Sequence, residues 1–146
     1  MKKKSLHLYF YGEPISKARH RSTRGGRMYS PQTEVEAAFR WELKRKLPEN
    51  YKPSLSPFKI KVIAVFARPK SHYGTGRNSG KLKASAPKFC TNAKDADNIL
   101  KFVCDAMNMI VYKDDRQGIK MCCEKHWADK GCGSQTIVEI TFLDND

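Results

Sequence analysis

From Ser5 to Tyr11 apolar and polar residues alternate, with Leu6, Leu8 and Phe10 set against His7, Tyr9 and Tyr11. That period predicts a strand with one buried face. Residues 12–30 lose all apolar period and carry Gly, Pro and Ser punctuation, so they read as a long loop. Ser30 before Pro31 marks a helix start, and Val35, Ala38, Phe39, Leu43 and Leu47 continue a helical stripe through about Lys46. Phe58–Pro69 alternates and then turns continuously apolar, as expected of a central strand covered on both faces at its far end. A second flexible loop, rich in Gly and Ser, fills residues 70–92. Asp97 or a neighbour caps a second helix over about Asn98–Asn108, with Ile99, Leu100, Val103, Ala106, Met107 and Ile110 on its core face. Finally "GIKMCCEKHWA" and "SQTIVEITFL" read as strands joined by "DKGCG" in a β-hairpin. The order β-α-β-α-β-β predicts an α+β fold over 1–146: a single small domain, a mixed sheet packed with two helices.

Charge narrows the function. Lys and Arg number 28 against 15 Asp and Glu, a formal net charge of +13. A surplus of this size points to a polyanionic partner, most often nucleic acid, or else to solubility alone. It clusters in the loops: Lys17, Arg19, Arg21, Arg24 and Arg27 in the first, Lys81, Lys83 and Lys88 in the second. Lys17, Arg19 and Arg21 alternate, so an extended chain would present them together to a phosphate backbone. Tyr29 and Tyr73 lie in the same loops, where an aromatic ring can stack on an unpaired base. No apolar run approaches membrane-spanning length, and "MKKK" is followed by no apolar signal segment; a cytoplasmic protein without a membrane partner or small-molecule cofactor is expected. Cys90, Cys104, Cys122, Cys123 and Cys132 contain no CxxC pair, and their spacing around His126 fits no common zinc pattern. They read as reduced, packed thiols.

Against this basic background, "KDADNILKFVCDAMNMIVYKDDRQ" gathers Asp95 and Asp97 at one end and Asp114 and Asp115 at the other. Like charges held close repel and raise one another's proton affinity unless a cation sits among them. The stretch is therefore either solvated turn or a metal site. Asp95 and Asp97, alternating in extended chain, aim the same way. If the helix returns Asp114 and Asp115 beside them, the set offers the oxygen donors that Mg²⁺ or Mn²⁺ takes when phosphate and water complete the shell. Lys101, one turn beyond Asp97, would balance the acids or meet a phosphate, with Asp105 as its i,i+4 partner. The chemistry that fits is metal-assisted phosphodiester hydrolysis. A cap at Asp97 and a polar turn at Asp114 are the plainer alternatives.

The stretch resembles the RusA family of Holliday junction resolvases, whose pattern is D-x-D-N-x-x-K-x-x-x-D-A-[LM] followed by D-D-x-Q. The chain carries Asp95, Asp97, Asn98, Lys101, Asp105, Ala106 and Met107, then Asp114, Asp115 and Gln117. "GEPISKARHR" is similar to the family's G-x-P-x-x-K-x-R-x-R segment, and Arg27, Tyr29 and Pro31 match its R-x-Y-x-P. The resemblance implies Mg²⁺ (Mn²⁺ substituting) held by Asp95, Asp97 and Asp115, with Asp114 a further candidate, and Lys101 as the active-site lysine. It implies a bacterial or phage-encoded, intertwined or two-fold homodimer that cuts four-way DNA junctions by paired nicks. A non-catalytic basic DNA-binding module and a less selective flap or single-strand nuclease remain the alternatives. Lys94 stands where the family usually has Pro, which predicts a looser approach to the first acid. Gly118 stands where a β-branched residue is common, which predicts a late start or a bulge in the next strand.

Overall fold

Alternating burial along four strands builds one sheet whose inner face carries the core. In chain order the computed structural model contains β1 (Lys4–Tyr11), β2 (Arg21–Ser22), β3 (Met28–Tyr29), α1 (Thr33–Lys46), β4 (Phe58–Phe66), α2 (Ala96–Met107), β5 (Gly118–Trp127) and β6 (Gln135–Phe142). It describes residues 4–18, 21–22, 24–26, 28–29, 32–91 and 93–144, with backbone only at 21–22 and 28–29. The main sheet has the order β1-β6-β4-β5, and β2 and β3 form a separate two-stranded ladder inside the first loop. β6 runs antiparallel to β1 and to β4, whereas β4 and β5 are parallel. The sheet is mixed and carries two helices, as the apolar pattern predicts.

The expected hairpin is not there. β4 lies between the last two strands, so β5 and β6 never pair. Burial explains the choice: Thr136, Val138, Ile140 and Phe142 of β6 are all buried, while β5 has no buried residue. The apolar strand takes an inner position and the polar one takes the edge. The linking segment instead passes the end of β4, where Ala128 N donates to Phe66 O at 2.8 Å and Ala67 N to Ser134 Oγ at 2.8 Å. The Gly118 expectation holds, since the β4–β5 register shifts at Phe58/Lys59 and leaves Ile119 as the bulged residue.

The helices cover the face formed by Phe58, Ile60, Val62, Ala64 and Phe66 of β4. From α1, Phe39 and Leu43 are buried; Val35 and Ala38, expected in that stripe, stay exposed. From α2, Ile99, Phe102, Val103, Cys104, Ala106 and Met107 are buried. Aromatic rings join the layers: Phe39 stacks on Phe10 at 4.4 Å and meets Phe102 edge-on at 5.3 Å. Tyr112 stacks on Phe58 at 4.3 Å and its hydroxyl donates to Cys104 O at 2.7 Å, which ties the segment after α2 back to the helix. On the other sheet face Lys61, Ile63 and Val65 are only half-buried, so β4 is not covered on both sides as its apolar end suggested. Cys90 and Cys104 are buried thiols, but Cys132 is exposed rather than packed.

Phe58 is fully buried between Tyr112 and Phe142. Phe58→Ala is expected to cost about 3–5 kcal/mol of stability, read as a lower urea midpoint. A loss below about 1 kcal/mol would contradict this packing.

Candidate active site

The acids separate by what they are bonded to. Asp95 occupies the N-cap position of α2 with extended backbone (φ −68°, ψ 136°), yet its side chain makes no capping bond. Its carbonyl accepts from Ile99 N at 3.1 Å and starts the helix without help from the carboxylate. Asp97 sits in the first turn. Both are exposed, and among the described residues neither forms an ion pair. The capping role is thus unused, and two carboxylates one residue apart stand idle at the helix mouth. Lys101, one turn further along, is exposed and likewise without an ion pair among the described residues. Its expected partner Asp105 is taken by Lys17 at 3.3 Å, which also reaches Glu36 at 4.0 Å.

That ion pair belongs to a dock holding the first loop against the helix. Lys17 N donates to Asn98 O at 2.9 Å. The Gln32 amide imitates a backbone strand: its Oε1 accepts from Ala18 N and its Nε2 donates to Ser16 O, each at 2.6 Å. Lys94 was expected to loosen the approach to Asp95, and it does the reverse. Its ammonium donates to Pro14 O at 2.7 Å and pairs with Glu13 at 3.7 Å, while Lys125 Nζ donates to Lys94 O at 2.9 Å. A long cation crosses to the loop where a rigid ring would only have shaped its own strand.

Asp114 and Asp115 lie together at the far end of α2. Asp114 caps the short 3₁₀ turn Asp115–Gln117, accepting from Arg116 N at 2.9 Å, and pairs with the Arg116 guanidinium at 3.1 Å. These bonds hold its carboxyl below the usual range. Here the plain polar-turn reading is the right one. Gln117 closes the capping box by accepting from Asp114 N at 2.8 Å, and donates to Ser54 O and Ser56 O at 3.0 and 2.9 Å. The glutamine of D-D-x-Q is therefore a tie to the segment before β4, a role its sequence context did not disclose. Asp115 has a different setting. Burial pushes its carboxyl up, and Asp114 and Asp105 push the same way against a hydrogen bond with Asn108.

The helix therefore separates the two acid groups instead of returning one to the other. α2 has 12 residues, about 18 Å at 1.5 Å per residue. Asp95 and Asp97 begin it, and Asp115 follows its end beside Asp105. Among the described residues no three His, Cys, Asp or Glu side chains are grouped to hold an ion. The Asp95–Asp97 pair still fits Mg²⁺, which keeps several waters and is bound through one or two carboxylates plus substrate phosphates.

Of the basic candidates, Lys81, Lys83, Lys88 and Arg24 are exposed, Arg19 and Arg27 lie outside the described residues, and Arg21 is described in backbone only. The second loop has more internal structure than its composition suggested. Gly74 N donates to Lys81 O and Lys83 N to His72 O, at 3.0 and 2.9 Å. His72 meets Trp127 edge-on at 5.0 Å, and Arg68 lies over the same indole at 5.4 Å. Tyr73 is half-buried where it bridges to Leu82.

A family model described as "Endodeoxyribonuclease RusA" matches residues 11–141, from the end of β1 into β6. The chain belongs to the RusA endodeoxyribonuclease family. It is also similar to the uncharacterized protein YqaN of Bacillus subtilis (strain 168), 29% identical over 138 residues that cover 90% of this chain and 94% of the relative. The family assignment places the idle carboxylates of α2 in a DNA-cleaving enzyme. No described helix is long and apolar enough to cross a membrane.

The raised carboxyl of Asp115 gives a pH test. Folding strengthens its hold on a proton, so this group's contribution to stability is full below the ordinary carboxylate pKa and is lost as pH rises through the raised value. Asp115→Asn removes the charge, so its Tm is expected to exceed wild type at pH 7, with the gap closing by about pH 3.5. A gap that widens on acidification would contradict that sign.

Proposed function

We propose that this RusA-family protein is a Mg²⁺-dependent endodeoxyribonuclease that resolves four-way junctions by paired phosphodiester hydrolysis. One observation carries the reading: in a chain of net charge +13, Asp95 and Asp97 share a helix mouth with no cap bond and no ion pair among the described residues. Two exposed carboxylates one residue apart in a phosphate-attracting protein are a donor pair that a divalent cation can take together with a substrate phosphate.

Asp95 and Asp97 would hold the ion, with Asp115 as the third candidate ligand and Asp114 committed to its turn. A bound Mg²⁺ supplies charge neutralisation at the scissile phosphoryl group and acidifies a water for attack. The N-terminus of α2 adds unpaired N–H groups and the positive end of the helix dipole, both favourable to a phosphate. Lys101, one turn in on the same face, meets the charge that builds up on the phosphoryl oxygens. Lys81, Lys83, Lys88 and Arg24 contribute strand affinity without base selection, as would Arg19, Arg21 and Arg27. Lys17 differs from them, since its ammonium already holds Asp105 and its first duty is to the dock. DNA as substrate also favours a cytoplasmic location.

Labelled four-way junction, flap and linear duplex, incubated with the protein and Mg²⁺, test this reading. Symmetric paired nicks in the junction alone are expected, falling to background with Asp97→Asn. Lys101→Ala is expected to slow nicking on the order of 100-fold while junction binding persists. Binding without cutting under Mg²⁺ or Mn²⁺ would establish a non-catalytic module instead, and equal cutting of flap or duplex a less selective nuclease.

A further inference from the structure

Trp127 ends β5 in register with buried Phe66, so its ring lies on the helix side of the sheet. Two loop residues pack on that ring: Arg68 lies over it at 5.4 Å and His72 meets it edge-on at 5.0 Å. Arg68 is itself fixed, its guanidinium donating to Pro87 O at 2.8 Å. The second loop then folds over the indole. Tyr73 and Leu82 bridge antiparallel, held by the bonds from Gly74 N to Lys81 O and from Lys83 N to His72 O. From the other side Lys130 reaches Gly80, where its ammonium takes the space that a Cβ would fill. These contacts enclose a cup of about 280 Å³.

The lining of the cup suits a nucleobase. Its volume falls just below the roughly 300–1,000 Å³ of sites for drug-sized ligands, enough for a single ring system. Leu82, Tyr73 and Trp127 give apolar surface, and Asp129 is the one acid among the described residues that line it. That carboxylate repels a phosphate, whereas a base stacks on apolar surface and is read along its edge. Among the described residues Asp129 forms no ion pair, and the Trp127 indole N–H is buried without an acceptor. Buried donors left unmatched are rare, and packing alone gives no reason for this one. The stretch from Arg68 to Lys94 carries seven cations and no acid, so a nucleic-acid backbone is drawn to the rim.

Position ties the cup to the acid pair. Lys125 and Trp127 lie on the same side of β5, about 7 Å apart along the strand. Lys125 Nζ bonds the carbonyl of Lys94, next to Asp95. A DNA strand with one phosphate at Asp95 and Asp97 therefore brings a neighbouring nucleotide past the cup. We propose that the cup takes one unpaired base beside the scissile phosphate and selects guanine. The place of the cut rests on the nuclease reading above; the pocket and its preference do not. A base inside a duplex cannot enter, but an unpaired or extruded one does. Guanine offers N1–H and N2–H₂ side by side, a pair that the Asp129 carboxylate accepts together. Its O6, next along the same edge, accepts from the ammonium of Lys130. Thymine instead flanks its single donor with two carbonyls, which Asp129 repels.

The chain has two tryptophans, so Trp41→Phe leaves the indole of the cup as the only one. In EDTA, where no metal-dependent cutting proceeds, this protein is titrated with short single strands of dT carrying one central dG, dA, dC or dT. The dG strand is expected to bind about tenfold tighter than all-dT and to change the emission of Trp127. Asp129→Asn is expected to cut that advantage to below about twofold. Glu139→Gln, the same change of charge on the opposite sheet face, is expected to keep it. Equal affinity for the four strands, a dG preference that survives Asp129→Asn, or unchanged Trp127 emission would overturn the proposal. A protein that cuts junctions without preferring dG would count against the pocket alone. One that prefers dG but cuts nothing would count against the nuclease reading alone.

Discussion

The parallel pairing of β4 with β5 is the constraint on which the rest of the molecule depends. Parallel neighbours cannot be joined by a tight turn, so the chain must travel the length of the sheet before β5 begins. Helix α2 makes that journey, with Ile99, Val103 and Met107 buried against the sheet. The crossover fixes the helix mouth near one end of β5 and the Asp114–Gln117 turn near the other. It also leaves β5 at the edge, because β6 has taken the remaining side of β4. The distribution of acids follows from this route.

Five carboxylates close in sequence come to three different fates. Asp114 is consumed by its capping box and Arg116, and Asp105 by Lys17. Asp115 is partly desolvated beside two other acids, a setting that raises its proton affinity and works against folding at neutral pH. Among the described residues Asp95 and Asp97 make no capping bond and no ion pair through their side chains. Placement without structural return is what a site for an external cation looks like, because stability and activity ask different things of the same residues.

Much of this was legible in the sequence, because it depended on local period. The 3.6-residue spacing from Ile99 to Ile110 fixed the second helix to within two residues at its start, and the alternation of Leu6, Leu8 and Phe10 fixed β1. The carboxylate motif fell at the start of that helix, with Asp95 at its N-cap position and Asp97 in its first turn. What the sequence could not supply was long-range order. "DKGCG" has hairpin composition, yet the inner place beside β4 went to the more apolar β6, and that competition is decided by burial across the whole sheet. For the same reason the return of Asp115 to Asp95 was misjudged: a helix followed by a turn can reverse the chain, but only the parallel ladder sets how far apart the two ends stay. Lys94, Gln32 and Gln117 were overlooked as ties because each bonds backbone atoms remote in sequence, for which single-residue chemistry gives no signal.

The central claim is that the idle pair at the mouth of α2 holds a divalent cation. Crystals soaked in Mn²⁺ and measured for anomalous scattering test it most directly. A peak about 2 Å from carboxylate oxygens of both Asp95 and Asp97 is the expected result. A crystal in which Mn²⁺ binds elsewhere, with these two side chains still unliganded, would contradict it.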